Sequence, residues 1–143
     1  MLFKRISRSS PEVIYMVVKN VSGSTMTAGY SGVFDVSTSG DGVRVTQASS
    51  TDLQAYAGVA HEDIADDDYG LVQVYGYRSS AYIYSSTGSS ASGDELTVVA
   101  DEWGLTPQAT SGDAKSFGFL VKAVSASSSS QYHTTTSIFV RAL

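Results

Sequence analysis

The chain has 143 residues, with 9 Lys+Arg against 14 Asp+Glu, a formal net charge of −5, and no Cys. That length is one domain, or one domain with an arm, and it buries enough surface to fold without metal or disulfide staples. The absence of Cys excludes a disulfide framework, thiolate zinc sites, iron–sulfur clusters and cysteine nucleophiles, and a pI near 4.7 argues against a phosphate-binding surface, which needs clustered Lys and Arg.

In chain order, composition changes once, near Pro11. Residues 1–11 carry Lys4, Arg5 and Arg8 without an acid, three of the nine basic residues in the first eight positions. They read as a basic arm, ordered where something docks it, ahead of a single all-β domain over 12–143. The apolar run Val13–Val18 has six residues, fewer than the roughly 7–15 of a signal peptide, and no stretch approaches the ~18 of a membrane span. The expectation is a soluble protein with neither a membrane nor a nucleic-acid partner.

From Glu12 on, short apolar runs of period 2 alternate with Gly, Ser and Asp, a pattern of strands and turns. EVIYMVVK from Glu12 predicts a strand. GVFDV from Gly32 predicts a second, ended by the Gly40-Asp41-Gly42 turn. In GVRVTQ, Val43 and Val45 share one face, Arg44 and Thr46 the other. Gln54–Ala60 predicts a further strand. YGLVQVYGY from Tyr69 and AYIY from Ala81, separated by polar Arg78–Ser80, predict a hairpin apolar on both faces. DELTVVA from Asp94 follows. FGFLVKAV from Phe117 and SIFVRAL from Ser137 predict an antiparallel pair around a long exposed Ser/Thr loop. Seven to nine short strands without helical crossovers give an antiparallel β-sandwich or barrel with little helix. No internal repeat of convincing period is visible.

Candidate chemistry is sparse. HEDIADDDYG from His61 holds five carboxylates in eight residues, but Gly and Glu do not fall where a calcium loop needs them. It reads as a solvated turn whose Asp residues cap backbone N–H groups. The pairs Asp94/Glu95 and Asp101/Glu102, with Trp103 as a sugar platform, have the composition of a glycosidase site but sit in turn-like sequence. There is no G-x-S-x-G elbow for a serine nucleophile, and His61 and His133 read as surface residues. No nucleotide-binding string occurs, so no cofactor is expected. Asn20-Val21-Ser22 matches the glycosylation pattern by chance. Five of nine tyrosines fall between Tyr69 and Tyr84, and Tyr75, Tyr77, Tyr82 and Tyr84 are candidate interface or sugar-stacking aromatics, with strand propensity and packing as the plainer explanation.

GVAHEDIADDDYGLVQVYGY (Gly58 to Tyr77), with GYSGVFDVSTSGDGVRVTQ before it and SGDELTVVADEWGL, FGFLVKAV and IFVRAL after it, resembles the small decoration, or cement, proteins of tailed-phage heads. The resemblance runs from about Gly29 and lies in turns and strands, not reactive groups. It implies a non-enzymatic virion protein, made in the host cytoplasm and bound to the outer capsid surface. The implied partners are the major capsid protein and further copies of itself, a trimer being favoured. The arm before Pro11 is not part of the resemblance; Lys4, Arg5 and Arg8 are expected to dock it because they cluster in an otherwise acidic protein. The alternative is a carbohydrate- or receptor-binding domain of a phage fibre that uses the tyrosines. A glycan-processing enzyme using the Asp/Glu pairs is the third expectation.

Overall fold

Nine strands and no helix make up the described part of the computed structural model, residues 12–38, 40–85, 88–108, 115–125 and 132–142. The basic arm with Lys4, Arg5 and Arg8 lies outside the described residues, as does 126–131 of the Ser/Thr segment. The strands are β1 (Ile14–Asn20), β2 (Ser31–Phe34), β3 (Arg44–Thr46), β4 (Tyr56–Ala60), β5 (Tyr69–Ser85), β6 (Glu95–Val98), β7 (Leu105–Pro107), β8 (Gly118–Leu120) and β9 (Tyr132–Arg141). They form one sheet in the order β1-β3-β2-β4-β5-β7-β6-β8-β9, and β5 additionally pairs with both β1 and β9.

Those two extra pairings close the sheet twice. β1, β3, β2, β4 and the first half of β5 make one five-stranded ring, and the second half of β5 with β7, β6, β8 and β9 makes another. The rings share a topology. In each, the first strand pairs parallel with the third, and every other pairing is antiparallel. The correspondence extends to single hydrogen bonds. The double bridge between Met26 and Ile64 recurs between Ser90 and Val124. The bonds Gly29 N–H to Ala60 O and Ala60 N–H to Tyr30 O recur as Gly93 to Leu120 and Leu120 to Asp94. Gly29 and Gly93 even share a positive φ, 95° and 94°. The domain is thus a duplicated barrel fused through one strand, and closure leaves few free sheet edges.

Two sequence expectations need correction here. Tyr69–Ser85 is one 17-residue strand, not a hairpin. The polar break at Arg78–Ser80 is a β-bulge: three steps along β5, from Arg78 to Ala81, oppose two along β9, from Ile138 to Thr136. Likewise the Ser/Thr loop is shorter than its composition predicts. His133–Thr136 belong to β9, where β-branched threonines suit a pleated surface. Elsewhere Val45 is buried while Val43, just outside β3, is 37% exposed.

The core has two apolar clusters. Val18, Met26, Val45, Ala57, Ala60, Ile64, Val72 and Val74 fill the first ring. The second joins Ile83, Leu96, Leu105, Leu120, Ile138 and Val140 to Val33, Tyr56 and Val59, so residues of β2 and β4 pack against the second ring. All five residues of β4 are buried for this reason. Backbone bonds also cross between the halves, from Tyr82 N–H to Gly29 O, Ser31 N–H to Trp103 O and Ala142 N–H to Val74 O.

β5 changes partners at Gly76. That residue has φ 105°, and a Cβ placed there would lie 2.1 Å from the carbonyl oxygen of Glu12. Only glycine accepts both constraints. The buried Gln73 amide reaches forward along its own strand and donates to the carbonyls of Gly76 (3.0 Å) and Tyr77 (3.1 Å), which fixes the bend.

Candidate interaction surface

The bulge in β5 decides which side chains share a face. In a regular strand Tyr75 and Tyr77 would point opposite to Tyr82 and Tyr84, because side chains alternate with period 2. The extra residue between Arg78 and Ala81 reverses the alternation. Tyr75, Tyr77, Tyr82 and Tyr84 therefore stand opposite Arg141, Phe139, Thr135 and His133 of β9, all on one face. The other face carries Ala81, Ile83, Thr136, Ile138 and Val140 into the core.

The shared face holds two aromatic groups. Tyr75 meets Phe139 edge-on, with ring centroids 5.2 Å apart, and Phe139 stacks on Phe119 of β8 at 5.3 Å. Farther along, His133 lies between Tyr82 (5.5 Å, stacked) and Tyr84 (5.1 Å), while Tyr82 meets Tyr30, which stacks on Trp103 at 5.5 Å. Burial, with Tyr30 and Glu102 nearby, raises the Tyr82 phenol above its usual pKa, so it stays protonated near neutrality. Tyr77 is 42% exposed, and the other three tyrosines are half-buried. The named tyrosines are thus brought together, and Phe119, Phe139, Tyr30 and His133 join them without having been marked from sequence. The signal was present in β9, where His133, Thr135, Phe139 and Arg141 alternate with buried Thr136, Ile138 and Val140.

Both histidines have ring neighbours. His61 packs edge-on against Tyr15 at 4.7 Å, and Arg78 Nη1 reaches its Nδ1 at 3.4 Å. Beside them runs an exposed outer strip of the first barrel, with Tyr15 and Val17 on β1 and Tyr69 on β5.

The acidic turn is structural wherever its bonds are seen. Glu62 Oε1 accepts from Leu71 N–H (3.2 Å), Asp63 Oδ1 from Ala28 N–H (2.7 Å) and Asp66 Oδ1 from Gly23 N–H (2.8 Å). Asp67, in the left-handed region at φ 65°, pairs with Lys19 at 2.7 Å. The hydrogen bond holds the Asp67 carboxyl below its usual pKa and lifts that of Lys19. Among the described residues no three His, Asp or Glu side chains are grouped to hold a metal ion. Of the other acids, Glu102 lies near Tyr82, Asp94 Oδ2 accepts from Ala91 N–H (2.8 Å), and Glu95 pairs with Arg141 at 3.4 Å. Asn20, the head of the glycosylation-like triplet, is fully buried and donates to Ser24 O (2.7 Å) and Ile64 O (2.9 Å). It is a structural staple with no access for a glycan.

No protein-family model matches the sequence, and no curated protein matches it. Among solved structures, the fold is similar to that of the head fiber gp8.5 N base of bacteriophage phi29. The likeness covers 92% of this chain and 96% of that one, with a TM-score of 0.53 and 15% identical residues. At that identity what is shared is the fold, taken over nearly the whole of both chains.

Proposed function

We propose that this chain is a structural protein of a tailed-phage head, carried on the outer surface of the shell and acting there as a decoration, or cement, module. The observation that carries the reading is the near end-to-end likeness in fold to a head-fibre base. The cement-like run of turns and strands from Gly29 onward supports it. In this reading the protein is not an enzyme; it works by presenting rigid contact area. Two barrels fused through β5 form such a unit, because the shared strand leaves no hinge of loops between them.

The partners are the major capsid protein and sister copies, in a trimer. One standard interface of about 1,600 Å² is often only micromolar, and repetition on a symmetric shell raises occupancy through effective concentration. Lys4, Arg5 and Arg8 dock the arm on the shell, each exposed ion pair giving roughly 0–1 kcal/mol and weakening with salt. Quantitative mass spectrometry of purified particles tests the assignment, with a copy number set by the lattice expected and absence from particles overturning it. Heat or pressure resistance of particles lacking the protein separates cementing from a fibre role: a loss supports the cement, and unchanged resistance assigns the chain to an appendage. Deleting residues 1–10 is expected to lower occupancy, and unchanged occupancy removes the arm from the docking contact.

A further inference from the structure

The bulge that aligns the tyrosines also opens a groove. About 290 Å³ of space is lined by Tyr15, His61, Tyr77, Arg78, Ser79 and Ser80, at the point where β5 leaves β1 and takes up β9. Tyr15 and Tyr77 offer ring surface there, each 42% exposed, and the hydroxyls of Ser79 and Ser80 stand on the exposed bulge.

Arg78 is the unusual member. Its guanidinium is half-buried, and burial draws its pKa down. The ion pairs among the described residues are Lys19–Asp67 and Arg141–Glu95, so Arg78 has no carboxylate partner there. Its Nε donates to Ser80 O at 2.9 Å, and its Nη1 donates to His61 Nδ1 at 3.4 Å. A guanidinium carries five N–H donors, so the Nη2 pair has no partner among the described residues. A partly desolvated cation with free donors, in a cleft walled by aromatic rings, is complementary to a planar anion attached to a body with an apolar face.

We propose that this groove binds a carboxylated sugar, a uronic or sialic acid residue, with its carboxylate on Arg78, its ring against Tyr77 or Tyr15, and its hydroxyls within reach of Ser79 and Ser80. The chemistry favours this class over two others. A neutral sugar leaves the Arg78 fork unpaired, and a polyphosphate is repelled by a chain of net charge −5. The site was assembled by the fold: Tyr15, His61 and Tyr77–Ser80 come from three separate segments, and none was marked as an anion site by its neighbours in sequence.

The inference stands apart from the head-surface reading, because it is tested on the purified full chain without particles. Calorimetric titration at low salt with sodium glucuronate, N-acetylneuraminate, glucose and acetate is expected to show one of the acidic sugars binding at least about tenfold more tightly than both glucose and acetate. Arg78→Gln is expected to lower that affinity at least about tenfold, and Tyr77→Ala, an exposed position that keeps the fold if Arg78→Gln does not, to lower it severalfold. Acetate binding as tightly as the sugars, no saturable binding of either acidic sugar, or affinity unchanged in the variants would each overturn the proposal. So would a peptide of residues 62–69 that binds more tightly than the sugars, because the groove would then be a self-association contact.

Discussion

Gly76 is the residue on which the fusion of the two barrels turns, and replacing it with alanine tests the account of that fusion. Two costs add at this position. A side chain at φ 105° is strained by about 2–3 kcal/mol. A Cβ 2.1 Å from Glu12 O must also push the start of β1 back by about 1 Å, an overpacking cost of roughly 1–3 kcal/mol. The expected loss is about 3–6 kcal/mol, a large share of the 5–15 kcal/mol that typically separates native from unfolded chains. Two control variants separate the terms. At Gly23 φ is 78° but no atom lies within 4 Å of the added Cβ, so alanine there costs only the backbone term, about 1–2 kcal/mol. Gly40 has open space and no positive φ, so Gly40→Ala is neutral or stabilising by up to about 1 kcal/mol. Urea denaturation with a slope of about 2 kcal/mol/M should therefore move the Gly76→Ala midpoint down by roughly 1.5–3 M, the Gly23→Ala midpoint by under about 1 M, and the Gly40→Ala midpoint slightly upward or not at all. A Gly76→Ala midpoint no lower than that of Gly23→Ala would refute the contact with Glu12, and with it the account of how β5 changes partners.

Three further outcomes follow from buried polar groups. Asn20→Ala removes three hydrogen bonds at once, leaving the N–H of Ser22 unpaired while Ile64 O keeps Met26 N–H and Ser24 O keeps the Ser22 hydroxyl, so equilibrium unfolding should show a loss of about 2–4 kcal/mol. Asn20→Asp should be no better, because it keeps the acceptor and loses both donated bonds. The Tyr56 hydroxyl is buried without a hydrogen-bond partner among the described residues, and that burial pushes its pKa well up. Tyr56→Phe should keep the stacking on Phe117 and raise stability by about 1 kcal/mol; a loss of similar size would mean that the hydroxyl has a partner. Asp35 accepts from the Ser37 hydroxyl (2.8 Å) and from the N–H groups of Ser37 and Thr38, which hold its carboxyl below the usual value. A depressed folded pKa contributes stability above the ordinary carboxylate range and loses it as pH falls through the folded value. Unfolding midpoints should thus show Asp35→Asn weaker than the parent near pH 6, with the gap narrowing as the pH falls below the ordinary carboxylate range; a gap independent of pH would contradict the assignment.

Much of the strand content was legible because local patterning and tertiary role agreed. Ile14–Asn20 is β-branched and half-buried, and Gly118–Leu120 pairs antiparallel with β9 as its apolar run predicted. The hairpin error at Arg78–Ser80 has a physical cause. A bulge breaks the apolar alternation and exposes polar residues just as a turn does, and only the ladder to β9 shows that the chain runs straight on. The same bulge explains the surface. The four tyrosines were nameable from their density, but their common face depends on one inserted residue whose effect exists only in register. The groove was less legible still, because Arg78 looked like part of a turn and His61 like an exposed neighbour of acids.

The duplication was hidden for a different reason. Its equivalent positions are held by backbone bonds, so the side chains are free to differ: Met26 corresponds to Ser90, Tyr30 to Asp94, Ile64 to Val124. The spacing also drifts, from 64 residues at Met26/Ser90 to 60 at Ile64/Val124, so no fixed period survives. Sharing β5 then forces the copies apart chemically. Val33, Tyr56 and Val59 of the first barrel are buried against the second, whereas Leu96, Val98 and Leu120 of the second complete its own cluster. One barrel thus spends an outer face on the fusion, and β5 and β9 keep theirs free to carry the aromatic surface.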